Sequence, residues 1–229
     1  MVQPEDGAAP TGDPKTGERT SGLFEVHHPL IQSHLAVLRD ASTGPAEFRL
    51  LIQRLAVLLA YEATRDLVVD PIQVETPLAV TTGHRLGQRV GLIPILRAGL
   101  GMVDPLLHLL PAAEVWHLGL YRDEETAQPV EYYSKISDTI PVDVALILDP
   151  MLATGGSAGI ALATLRNSGV KSVKLLSVIA SREGITEVES NFPETQIYVC
   201  AVDDTLNEQK FIVPGLGDAG DRIFNTPGL

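Results

Sequence analysis

The residues with the clearest chemical potential lie in Val144-Ala-Leu-Ile-Leu-Asp-Pro-Met-Leu-Ala-Thr-Gly-Gly-Ser157. An apolar run from Val144 to Leu148 ends in an acid, Asp149, and a short loop leads to Thr154-Gly155-Gly156-Ser157. A helix-like segment, Ala158 to Asn167, follows. Small residues let backbone N–H groups converge, and a helix N-terminus carries partial positive charge, so the turn suits phosphate. A carboxylate repels phosphate but accepts hydrogen bonds from sugar hydroxyls. Together the groups read as a cradle for a phosphorylated sugar. The stretch lacks the Gly-Lys-Ser/Thr ending of a nucleotide P-loop and the G-x-G-x-x-G spacing of a dinucleotide site.

Two arginines belong to the same picture. Arg97 closes the apolar run Val90 to Leu96 and precedes Ala98-Gly99, so a ligand can approach its backbone closely. Arg122 follows the run Val115 to Tyr121 and sits beside Asp123, Glu124 and Glu125. Guanidinium matches phosphate oxygens in a bidentate fork. A long loop, Asp123 to Asp138, follows Arg122 and has the length of a closing lid.

These residues need a scaffold, and the pattern predicts one. Strands are expected at Val90–Leu96, Val115–Tyr121, Val144–Leu148, Val173–Ala180 and Gln196–Val202. Helices are expected near Ala46–Thr64, Met102–Leu110, Ala158–Asn167 and Glu183–Asn191. Val74 to Arg85 shows no helical stripe and reads as short extended pieces, while the Gly- and Pro-rich Phe211 to Gly220 reads as irregular. Continuous apolar strands alternating with helices indicate an α/β fold, a mostly parallel five-stranded sheet covered on both faces. Ligands of such sheets bind beyond the carboxyl ends of the strands, where Arg97, Arg122 and Asp149 fall.

Composition narrows the function classes. The chain has 229 residues and is 45% hydrophobic but only 5% aromatic, so aliphatic side chains must fill the core. A formal net charge of −12 argues against nucleic acid or an anionic membrane as partner. No apolar run is long enough to cross a bilayer. The single cysteine, Cys200, excludes an internal disulfide and fits the cytoplasm, as a buried inert thiol. Residues 1–21 carry little to bury and read as a disordered tail, with the folded domain spanning 22–229. None of the six histidines shows metal-ligand spacing, and no metal-binding side chains are assigned.

Four segments in order carry a family resemblance: Pro94–Met102, Leu120–Glu125, Leu148–Ser157 and Phe211-Ile-Val-Pro-Gly-Leu-Gly-Asp-Ala-Gly-Asp-Arg222. From about His27 to Phe224 the chain resembles type I phosphoribosyltransferases, in the form found in the uracil-specific branch. The resemblance implies that fold with a small hood or arm, and transfer of 5-phosphoribose from its diphosphate to uracil, giving UMP. It implies that phosphoribosyl diphosphate is held by Arg97, Arg122, Asp149, Pro150, Met151, Leu152, Ala153, Thr154, Gly155, Gly156, Ser157 and Asp218. It implies that Ile212, Gly217, Asp218 and Ala219 line uracil, mainly through main-chain atoms, with Arg97, Arg122, Asp149 and Asp218 in the catalytic roles. Mg²⁺ would be held mainly by substrate and water. Relatives form homo-oligomers, dimers or tetramers, and some respond to GTP; no segment marks a GTP site. Pro150 stands where many relatives carry a second acid, as in the uracil-specific branch. Two rivals remain open: a regulatory RNA-binding module, which would need a basic face, and transfer to another base.

Overall fold

The computed structural model describes residues 22–122, 129–134 and 142–227. The elements run β1 (Gly22–Glu25), α1 (Pro29–Arg39), α2 (Pro45–Ala63), β2 (Val69–Glu75), β3 (Val80–Leu86) and β4 (Val90–Leu96). A 3₁₀ helix (Ala98–Met102) then leads to α3 (Val103–Leu109), β5 (Glu114–Val115), β6 (Leu118–Arg122) and β7 (Pro129–Ser134). After them come β8 (Val144–Leu148), β9 (Met151–Leu152), α4 (Gly156–Asn167), β10 (Ser172–Ser181), α5 (Arg182–Asn191) and β11 (Gln196–Asp203). The chain closes with β12 (Thr205–Leu206), β13 (Ile212–Val213) and α6 (Ala219–Phe224).

The five expected strands form the centre of the main sheet, in the order β11-β10-β8-β4-β6, all parallel. Two edge strands extend it: β1 pairs parallel with β11, and β7 pairs antiparallel with β6. Helices α1, α2, α3 and α6 pack on one face, around Phe48, Leu55, Leu92, Leu146 and Leu176. On the other face α4 and α5 cover Ile93, Ile147, Leu175 and Ile197. Burial on both faces is why β4 and β8 read as unbroken apolar runs. The expected boundaries at Val90–Leu96 and Val144–Leu148 match the strands found.

Some elements differ from expectation. The segment expected as one strand, Val115–Tyr121, is β5 and β6, with Trp116 N–H donating to Leu92 O at 2.9 Å between them. The predicted helix Met102–Leu110 is preceded by the 3₁₀ turn and ends at Leu109. Val74–Arg85 lies in a regular antiparallel hairpin, β2–β3, whose strands are exposed on nearly every residue. A strand with no buried face has no apolar alternation to reveal it. Phe211–Gly220 is mostly irregular, but it contains β13 and the start of α6. The tail expected at 1–21 lies outside the described residues.

Two loops meet at the carboxyl ends of β4 and β8. These strands are neighbours, with Pro94 opposite Leu148. Gly99 in the 3₁₀ turn lies so close to β8 that a Cβ would stand 2.2 Å from the Leu148 carbonyl oxygen. Only glycine allows that approach. A backbone carbonyl cannot swing aside, so Gly99→Ala is expected to cost about 3 kcal/mol, the upper end for overpacking. Urea unfolding measures this; an unchanged midpoint would show that the two loops are not packed this way.

Candidate functional site

The phosphate-type cradle is built around one proline. β8 and β9 share a register against β10, Leu148 opposite Leu176 and Met151 opposite Ile179. They are one strand interrupted at Asp149–Pro150. Pro150 has no N–H to give the ladder, while its carbonyl accepts from Val178 N and Ile179 N at 3.0 and 3.1 Å. The interruption leaves Asp149 at the sheet's carboxyl edge.

After β9 the chain turns through Ala153, Thr154 and Gly155 into α4. Gly155 has φ +84° and is the residue preceding the helix, and no side chain caps that end. Asp149, Met151, Leu152, Ala153, Thr154, Gly155, Gly156 and Ser157 line a concavity of about 60 Å³. That is far below the ~300 Å³ at which ordinary small-molecule pockets begin, and suits a single anionic group. Pro150 is buried behind it.

The back of this loop rests on α5. Ser181 Oγ donates to Ala153 O at 2.5 Å and accepts from Gly184 N at 2.9 Å. A Cβ on Gly184 would meet the Ala153 carbonyl oxygen at 2.4 Å, and one on Gly155 would meet Glu187 at 2.9 Å.

Asp149 keeps some surface in the cleft, yet its carboxyl is held in desolvated surroundings that push it up from 3.8 to about 7. A weak hydrogen bond from Met151 N, 3.4 Å from Oδ1, opposes the shift only slightly.

Arg97 follows β4, and the Leu96–Arg97 peptide is cis. Its guanidinium is 56% exposed and reaches the C-terminal segment. Nη2 donates to Asp221 Oδ1 at 3.1 Å, and Nη1 to Thr226 Oγ1 at 3.4 Å. Thr226 Oγ1 also donates to Asp221 Oδ1 at 2.6 Å. The Thr226 hydroxyl and Arg97 hold the Asp221 carboxyl below its usual range. Arg122 is described only as the last backbone position of β6, on the other flank of β4. The rest of the Asp123–Asp138 loop, apart from β7, lies outside the described residues.

The C-terminal segment folds back as a hood. β12 and β13 form a short antiparallel pair, and Val213–Pro214 is cis. Ile212 and Ala219 turn their side chains into the core, so toward a ligand they offer only backbone. Gly217 is exposed with φ +76°. Asp218 caps α6, its Oδ1 accepting from Asp221 N at 2.9 Å. Arg222 locks the hood to the end of α1 and to the α1–α2 connection by donating to Leu38 O and Asp40 O at 2.9 and 2.7 Å, and it ties the hood to itself by donating to Leu216 O at 2.8 Å. The same guanidinium lies 4.2 Å from the Phe48 ring centroid. Next to these residues, Gly217, Asp218, Asp221, Thr226 and Thr43 line a cavity of about 400 Å³.

The structure therefore brings Arg97 into contact with the hood, and its loop into contact with the strand end that carries Asp149. Asp221, Thr226 and Ser181 were not singled out from sequence as positioning residues. Asp221 lies within the C-terminal motif, but nothing local links it to a residue 124 positions away. Among the described residues no group of three or more His, Cys, Asp or Glu side chains is placed to hold a metal ion.

Comparison with known proteins settles the family. The family model for uracil phosphoribosyltransferase matches residues 25–226. The chain belongs to the uracil phosphoribosyltransferase family. The uracil phosphoribosyltransferase of Roseiflexus sp. (strain RS-1) is 54% identical over 199 residues, 87% of this chain and 96% of that one. That of Thermoanaerobacter sp. (strain X514) is 52% identical over 205 residues, 89% and 98% of the two chains. Among solved structures, the AQ2163 protein from Aquifex aeolicus superposes with a TM-score of 0.86 at 35% identity, covering 91% of this chain and 100% of that one.

The raised Asp149 carboxyl has a consequence for stability. The folded chain keeps this proton up to about pH 7, whereas the unfolded chain releases it near 3.8. Between those values the folded state binds more protons, so this group's contribution falls as pH rises through the window and levels off above it. Thermal melts of Asp149→Asn are expected to lose that share of the decline. A variant with the same pH profile as the parent would show an ordinary, solvated carboxylate.

Proposed function

We propose that this chain transfers 5-phosphoribose from phosphoribosyl diphosphate to N1 of uracil, releasing diphosphate and forming UMP for pyrimidine salvage. One observation supports the reading: the Arg97 loop bridges the strand end holding Asp149 and the hood, so the residues proposed for sugar-phosphate, diphosphate and base would share one edge of the sheet. The backbone amides of Thr154 to Ser157, with the Thr154 and Ser157 hydroxyls, anchor the 5′-phosphate. Met151, Leu152 and Ala153 shape that loop, and Pro150 sets its start. Binding this remote group orients the reacting carbon.

Asp149 accepts hydrogen bonds from the ribose hydroxyls. Once ionised, its charge favours the cation that develops on the ribose as the C1–O bond breaks. Arg97 and Arg122 take the departing diphosphate, Arg97 exchanging Asp221 for phosphate oxygens. Mg²⁺, when bound, supplies further neutralisation of that leaving group. Main-chain atoms of Ile212, Gly217, Asp218 and Ala219 match the polar edge of uracil. Cytosine would set a donor where the loop expects the O4 acceptor, leaving buried groups unpaired. Asp218 is the candidate to take the N1 proton.

Association of two or more copies also belongs to this reading. Val69, Val74, Leu78, Val80 and Leu86 are exposed along the β2–β3 hairpin, Leu78 at 97%, and a second copy would cover them. Sedimentation of Leu78→Asp/Val80→Asp against the parent tests this; the double variant is expected to shift toward monomer. Activation by GTP and location in the cytoplasm rest on the resemblance and on the lone thiol. Assays with added GTP test the first. Among the described residues no helix is long and apolar enough to cross a membrane.

The deciding assay incubates the protein with phosphoribosyl diphosphate, Mg²⁺ and labelled uracil, with orotate, cytosine and hypoxanthine as competitors. UMP is the expected product, and Asp149→Asn and Arg97→Ala are each expected to lose at least about 100-fold in kcat/KM. An inactive parent, variants as fast as the parent, or preference for another base would remove the assignment.

A further inference from the structure

The hood is irregular and glycine-rich, so something outside it must fix its shape. One ion pair does so at a single residue. Arg39, the last residue of α1, and Asp203, the last residue of β11, form a bidentate pair. Nη2 donates to Oδ1 at 2.7 Å and Nη1 to Oδ2 at 2.8 Å. The same two groups grip Gly215 from both sides. Arg39 Nη1 donates to Gly215 O at 2.8 Å, and Gly215 N donates to Asp203 Oδ2 at 3.1 Å.

Asp203 is 6% exposed and Arg39 22%. Gly215 has φ +60°, and a Cβ there would lie 2.0 Å from the Ile212 carbonyl oxygen. The two peptide groups that flank the glycine α-carbon therefore have their orientation set by a charged fork, two residues before Gly217 and three before Asp218. Charge-assisted bonds of this kind are short and directional. Neither side chain is among those assigned to substrate.

We propose that Arg39 and Asp203 are positioning residues that set base specificity by holding the two peptide groups on either side of Gly215, and with them the main-chain pattern presented to uracil. The inference rests on the reading of residues 212–219 as the base-binding loop. Discrimination between uracil and cytosine by main-chain groups requires that the loop cannot rotate a peptide to present the opposite pattern. A polar site rejects the wrong partner only while its own groups stay fixed and would be left unpaired. Loosening the fork removes that constraint without breaking the bonds that hold the sugar-phosphate cradle, which come from Ser181 at the end of β10 and the start of α5.

The test compares the parent with Arg39→Lys, which keeps the charge but loses the fork. Asp203→Asn serves as the second variant, because breaking a buried pair can unfold a chain. Folding is checked by circular dichroism and thermal melting. In a folded variant the KM for uracil is expected to rise about tenfold, and the preference for uracil over cytosine to fall by a similar factor. The KM for phosphoribosyl diphosphate is expected to stay near the parent value. A purely structural pair would shift the melting temperature and leave both Michaelis constants and the base preference alone, and that result overturns the proposal. Equal changes in the two constants also overturn it, as does failure of both variants to fold. Hydrogen exchange on the parent separates the underlying reading. If uracil with phosphoribosyl diphosphate fails to protect amides in 212–219, the loop is not the base site and the proposal falls with it. If protection is present but the variants keep parental specificity, only the positioning role is lost.

Discussion

A parallel sheet must be covered on both faces, and that requirement places the chemistry of this protein along one edge. Strands β4, β8, β10 and β11 are apolar nearly throughout, and helices occupy both of their sides. Polar side chains have little room there except where strands end. Asp149, Arg97, Ser181 and Asp203 all stand at such ends. Among the described residues Lys174 and Ser177, both buried within β10, are exceptions; Lys174 donates to Ala63 O at 2.6 Å and pairs with Asp66. Lys174 closes the C-terminal end of α2 and takes no part in the cleft.

Within that edge, rigid contacts do the positioning and softer ones leave room for a ligand. The phosphate-type loop is set by Pro150 in front and by Ser181 and Gly184 behind. The Arg97 loop is set by the close approach of Gly99 to β8. By contrast, the Arg97 guanidinium is half exposed and joined to Asp221 by a single 3.1 Å bond. Exposed pairs of this kind contribute little to stability, so the arginine can trade its partner for a phosphate oxygen. The chain as a whole is strongly acidic, at −12. Under the proposed reading, affinity for a polyanion comes from a few local sources: two arginines, a helix N-terminus and converging amides.

Much of this was legible in the residues alone. The strand borders of β4 and β8 follow from apolar runs ended by charge. The loop after β8 follows from an acid, a proline and small residues in sequence. The hairpin β2–β3 escaped because neither of its faces is buried, which removes the period-two signal. The edge strand β1 escaped because four residues are too few for any pattern. Ser181 and the Arg39–Asp203 fork escaped for a different reason, since their partners lie 28 and 164 residues away.

The sequence by itself determined the alternating α/β plan and the family, and it singled out the segments proposed as the site, because those depend on local periodicity and on contiguous motifs. Tertiary structure alone decided how those segments are aimed. The desolvation of Asp149, the partner of Arg97 and the grip on Gly215 each arise from groups distant in the chain meeting at the end of a sheet. Burial and hydrogen-bond geometry are properties of that meeting, and no single stretch of residues contains them.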